Sequence, residues 1–156
     1  MKTNKQKIIS YLIILVSIVL VAILGSVFVN IGREWFASLT RPSQFVPDFI
    51  IPIVWTIIYT LFAIVLCLWV GKEEFRLKTK LLLTLNAILN VLWCLFFFAL
   101  NQTLWGLIAI VLLLILSYVL IVDINKQKPI YSYILSVYPI WVSIATCLNL
   151  ALWILN

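Results

Sequence analysis

Five long apolar runs, separated by short polar links, leave this chain of 156 residues one solvent in which to fold, the lipid bilayer. The runs cover about 8–29, 48–70, 79–100, 104–122 and 131–155. Each reaches the ~20 apolar residues that a spanning helix needs. In hydrocarbon every backbone N–H and C=O must be satisfied within the segment, so each run is read as a helix. Composition agrees: 65% of residues are hydrophobic and 10% charged, against about 45–50% and about 25% in soluble domains. The fold class is therefore an all-α membrane protein, a bundle of five transmembrane helices in one domain over 1–156. Lys2, Lys5 and Lys7 precede the first run as they would in a signal peptide. That run exceeds the ~7–15 residues of such a region and lacks a small-x-small cleavage site, so it is read as a true span.

The charges are distributed to match. A net charge of +6 could suit nucleic acid, but the 11 basic residues lie between the apolar runs and form no patch with interleaved aromatics. Nine of them fall at one end, in the N-terminus, the second loop (Lys72, Arg76, Lys78, Lys80) and the fourth loop; Arg33 and Arg41 fall at the other. The positive-inside rule then puts the N-terminus in the cytoplasm. The first loop, 30–47, and the C-terminus face outward. Cys67, Cys94 and Cys147 sit in apolar runs without metal or redox spacing and read as small buried hydrophobes. There is no histidine. Asp48 and Asp123 stand at span ends, and no span carries an ionisable residue at its centre. Proton relays and charged-substrate pathways normally need one. No catalytic constellation and no metal site is read.

The seven tryptophans divide into two groups. Trp69, Trp105 and Trp153, near span ends, fit an interfacial aromatic belt. Trp55 and Trp93 lie about 10 Å, and Trp141 about 18 Å, below the outer ends of their spans at 1.5 Å per residue. Each belongs to a stripe spaced by three and four residues, hence to one helix face. The stripes are Trp55-Tyr59-Phe62-Leu66, Asn86-Asn90-Trp93-Phe97 and Tyr138-Trp141-Ala145-Asn149. An amide in lipid needs a partner and so faces the bundle interior. Two roles stay open for these asparagines: an interhelical hydrogen bond of about 0.6 kcal/mol, or a polar contact in an aromatic-lined ligand cavity. Without intramembrane charge, a ligand should be large, flat or lipid-like.

The first loop and second span contain Trp35-Phe36-Ala37-Ser38-Leu39-Thr40-Arg41-Pro42-Ser43, then Pro47, then Val54-Trp55-Thr56-Ile57-Ile58-Tyr59. The third span contains Leu89-Asn90-Val91-Leu92-Trp93-Cys94-Leu95-Phe96-Phe97. The fifth contains Trp141-Val142-Ser143-Ile144-Ala145-Thr146-Cys147-Leu148-Asn149, followed by Trp153. In this order and spacing the motifs resemble those of the translocator protein family, also called tryptophan-rich sensory proteins or peripheral benzodiazepine receptor homologues. The likeness covers nearly the whole chain. It departs at Gln44, where the family has tryptophan; at Val46-Pro47, where it has Pro-Pro; at Ala109, where it has aspartate; and at Tyr138-Pro139, where the order is reversed. These changes bear on the loop lid, helix packing and ligand selectivity.

The resemblance implies a five-helix bundle, often a homodimer, in a bacterial cell membrane, with a pocket under the first loop. It implies porphyrins such as protoporphyrin IX as ligands, with no required cofactor; mitochondrial relatives also bind cholesterol and isoquinoline carboxamides. By motif, Trp55, Tyr59, Asn90, Trp93, Cys94, Trp141 and Ala145 fall at pocket positions. Trp35, Arg41, Pro42, Asn86 and Tyr138 complete the expected ligand-binding set. The leading expectation is a porphyrin-binding receptor or sensor. The alternatives are light- and oxygen-dependent porphyrin breakdown, with Trp55 and Trp141 as electron or radical partners, and a lipid or metabolite translocator. The expected partners are membrane lipid, a hydrophobic small molecule and a second copy of the chain.

Overall fold

The computed structural model describes residues 3–43 and 46–156, so the departure at Gln44 lies outside the described residues. The described residues are 84% helical, with no strand among them. In order come α1 (Asn4–Ile31), α2 (Arg33–Ser38), α3 (Ile50–Val70), α4 (Leu77–Cys94), α5 (Thr103–Asn125), α6 (Pro129–Leu135) and α7 (Val137–Leu155). A π-helical turn, Leu95–Ala99, extends α4. With that turn, and with α6 and α7 taken together, five helices among the described residues are long and apolar enough to cross a membrane. The short α2 belongs to the first loop.

Three span boundaries differ from the sequence reading for identifiable reasons. α1 begins at Asn4 because Thr3 and Gln6 form a capping box, each side chain bonded to the other's backbone N–H. α5 runs to Asn125, so Asp123, expected in the fourth loop, is helical. The fifth span starts at Pro129 and breaks at Ser136. Pro139 lacks the N–H that would bond Leu135, and its ring crowds that carbonyl.

α1 packs on α3 and α4; α4 on α5; α5 on α6 and α7; and α3 closes the ring against α6 and α7. Most large side chains of α1 face outward, including Ile8, Leu12, Ile13, Val16 and Val19, and only Gly25 is buried. Such a surface is tolerable in lipid and not in water. Two glycines permit close approach at the first-loop end. A Cβ on Gly32 would collide with the Phe98 carbonyl, and one on Gly106 would lie 2.7 Å from Phe97 Cβ. The π turn is thus held between the end of α1 and the start of α5, and the chain reverses into α5 through Asn101 at φ 56°. Asparagine tolerates this left-handed conformation better than most residues.

Candidate functional site beneath the first loop

The first loop forms a roof over the bundle. Arg41 organises it: its guanidinium bonds Asp48 Oδ1 at 2.6 Å, donates to the Phe36 carbonyl at 2.9 Å and lies 4.4 Å from the Phe36 ring centroid. The Asn156 carboxamide accepts from Thr40 N–H at 2.9 Å and donates to Thr40 C=O at 3.1 Å, tying the loop to the end of α7. Beneath the loop, Trp35 meets Phe97 edge-on at 5.4 Å and Phe36 meets Phe98 at 5.3 Å. Pro42 is half-buried beside Arg41.

From Phe98 the rings continue inward. Phe98 contacts Trp93 at 6.0 Å, and Trp93 contacts Trp55 at 5.9 Å. Trp55 stacks on Tyr59 at 5.6 Å and meets Tyr138 at 6.3 Å. Offset and edge-on pairs at these separations are the favoured geometries. Trp141 and Ala145 are buried in the same cluster, against which Trp55 packs half-buried. The stripes of the second, third and fifth spans therefore converge. Cys94 is buried in the same cluster, and its sulfur also lies 3.5 Å from where a Gly25 Cβ would sit, at the α1–α4 contact.

The amides bridge helices. Tyr59 donates to Asn90 Oδ1 at 3.1 Å, Tyr138 to Asn86 Oδ1 at 3.2 Å, and Trp93 Nε1 to Asn149 Oδ1 at 3.2 Å. The Asn86 amide group also donates to the carbonyls of Leu82 and Leu116. The first of the two roles left open for these asparagines, interhelical bonding, is thus present. Trp141 is only 7% exposed, yet its Nε1 is buried with no hydrogen-bond partner among the described residues. A buried indole N–H normally finds one.

Three expectations are corrected. Trp69 is no belt residue: at 1% exposure it packs against Phe75 and Tyr131, and its Nε1 also has no hydrogen-bond partner among the described residues. Trp105 and Trp153, at 55% and 42% exposure, do face outward. Asp123 is buried; its carboxylate accepts from Thr79 at 2.7 Å and Gln127 at 3.1 Å, with Lys78 at 3.7 Å. A charge there is tolerated because it is hydrogen-bonded and paired. Of the cysteines read as buried, Cys94 is buried, Cys67 half-buried and Cys147 exposed on α7, facing away from the bundle.

Sequence reasoning missed Asp48, Phe36, Phe98 and the Thr40–Asn156 pairing. An acidic residue seven positions after a loop arginine, and rings at each motif edge, were the available signals. Nothing local announces the Asn156 contact.

This arrangement has relatives. The model of the TspO/MBR family matches residues 13–154. Tryptophan-rich protein TspO of Chlorobaculum tepidum is 31% identical over 137 residues, covering 85% of this chain and 86% of that protein. The protein of the same name from Archaeoglobus fulgidus is 32% identical over 127 residues, covering 80% and 81%. Protein CrtK of Rhodobacter capsulatus is 27% identical over 125 residues, covering 78% of each. With five membrane-crossing helices and a match along nearly its full length, this multi-pass membrane protein belongs to the TspO/MBR family.

Proposed function

We propose that the chain is a membrane sensor that binds a porphyrin, or another flat hydrophobic molecule, among the rings beneath the first loop. The observation that carries this reading is the convergence of Trp55, Tyr59, Trp93 and Tyr138 around a bundle interior that also holds the Trp141 indole N–H, which has no partner among the described residues. Stacking suits a macrocycle, and a lone donor suits a carboxylate or ring nitrogen at its edge. The rings touch one another here, so a ligand enters by displacing Trp55 from Trp93. Trp55 is the half-buried member of the pair and the one that can move.

The contacts Trp93–Trp55–Tyr138, each within 6.3 Å, favour a second reading. Oxidisable rings so close could pass an electron to a light-excited porphyrin, whose own chemistry would drive its breakdown. Protoporphyrin IX titrated into purified protein in the dark tests the first reading. Illumination in air separates the two: with the sensor, porphyrin is lost no faster than free porphyrin illuminated alongside, whereas the enzyme speeds its loss. Porphyrin flux into sealed vesicles would point instead to a translocator.

A further inference from the structure

We infer that the groove between the end of α5 and the kinked α6, at the end opposite the first loop, holds the headgroup and upper acyl chain of an anionic phospholipid. The groove lies on the N-terminal side of the break at Ser136 that separates α6 from α7. It is open, about 540 Å³, and lined by Asn125, Pro129, Ile130, Ser132, Tyr133 and Ser136. That lies within the ~300–1,000 Å³ of small-molecule sites. Its wall is amphiphilic. Asn125 stands at the mouth beside Lys126, Ile130 and Tyr133 are largely exposed, and the Ser132 and Ser136 hydroxyls are already turned to the carbonyls of Ile121 and Tyr133. What is left on the lower wall is mostly hydrocarbon, suited to an acyl chain.

Charge identifies the occupant. At the first-loop end Arg33 and Arg41 are matched by Glu34 and Asp48, so the net charge of +6 belongs to the other end. There Lys78 faces Asp123, Lys80 faces Glu74, and Lys128 pairs with Glu73. Lys126, next in sequence to the groove residue Asn125, has no acidic partner among the described residues, as is also true of Lys72 and Arg76 farther from the groove in sequence. An unneutralised ammonium above an apolar slot, at the depth of the headgroups, fits a phosphodiester with no compensating positive charge. Basic pockets at this level bind anionic headgroups in general, each lysine contributing about 1 kcal/mol.

The test is native mass spectrometry of the full chain in detergent, titrated with dioleoyl phosphatidylglycerol or dioleoyl phosphatidylcholine. Wild type should retain one phosphatidylglycerol at least about fivefold more tightly than phosphatidylcholine, the ratio to which that single lysine corresponds. Lys126→Gln should remove this preference, while Lys72→Gln, the same charge loss at the same end, should keep it. Ser136→Phe, which fills the lower groove, should weaken retention of phosphatidylglycerol. Equal losses in Lys126→Gln and Lys72→Gln would reduce the effect to diffuse surface charge and overturn the site. So would an absence of headgroup preference in wild type, or full retention in Ser136→Phe.

Discussion

Tyr138 on α7 donates its hydroxyl to Asn86 Oδ1 on α4 at 3.2 Å, and both side chains are buried. The bond joins the third and fifth spans at the floor of the ring cluster. Removing one partner strands the other in an apolar interior, which costs about 1–3 kcal/mol, although intramembrane bonds average only about 0.6 kcal/mol. Asn86→Leu or Tyr138→Phe alone should lower stability by about 1 kcal/mol. The double variant should lose less than the sum of the two. A double-mutant cycle in detergent unfolding measures this coupling, and strict additivity would mean the bond contributes nothing.

Close packing at the π turn predicts a ranking among glycines. Gly32→Ala and Gly106→Ala must push against Phe98 backbone and Phe97 Cβ, and overpacking of this kind costs about 1–3 kcal/mol. Gly25→Ala meets only Cys94 Sγ at 3.5 Å, an ordinary contact, and gains helix propensity of up to about 1 kcal/mol. Thermal unfolding should therefore place Gly25→Ala at or above wild type and the other two below it.

Arg41→Gln removes the Asp48 ion pair and the contact with the Phe36 ring. Exposed ion pairs contribute about 0.2–1 kcal/mol and exposed cation–π contacts about 0.5–1 kcal/mol. Global stability should change by no more than about 1 kcal/mol. The effect should be local: amide exchange over residues 36–43 should rise severalfold, and porphyrin, if bound, should leave faster. Unchanged exchange would mean that the roof is held by Thr40–Asn156 alone.

The charge asymmetry predicts orientation. After replacement of Cys67, Cys94 and Cys147, an impermeant thiol reagent on intact cells should label Ser43→Cys and spare Lys78→Cys. The reverse pattern would invert the molecule in the membrane.

How far the sequence carried the fold can be judged residue by residue. Asn86, Asn90 and Asn149 were legible because a buried amide needs a partner and the three–four spacing puts it on one face. The start of α1 was legible in principle, since Thr3-x-x-Gln6 is a capping box. Trp69 was misplaced because proximity to a span end says nothing about face. The stripe Phe62-Leu66-Trp69, extended by its own spacing, points inward. Asp123 was misplaced because its partners Thr79 and Lys78 lie on another helix, far away in sequence. The π turn leaves no trace in periodicity, since it depends on Gly32 and Gly106 arriving from two other helices.

The central claim is that a flat ligand stacks among the interior rings, and tryptophan-fluorescence quenching on protoporphyrin IX titration tests it most directly. Loss of a whole indole from a dry site costs about 2 kcal/mol, or about thirtyfold in affinity. Trp55→Ala and Trp141→Ala should raise Kd by about that factor, with smaller losses for the phenylalanine variants, which keep the bulk. Trp105→Ala and Trp153→Ala, whose rings face outward, should bind as wild type. If instead the Trp55 and Trp141 variants bind normally while those of Trp105 or Trp153 fail, the porphyrin sits at the membrane interface and the interior rings serve packing alone.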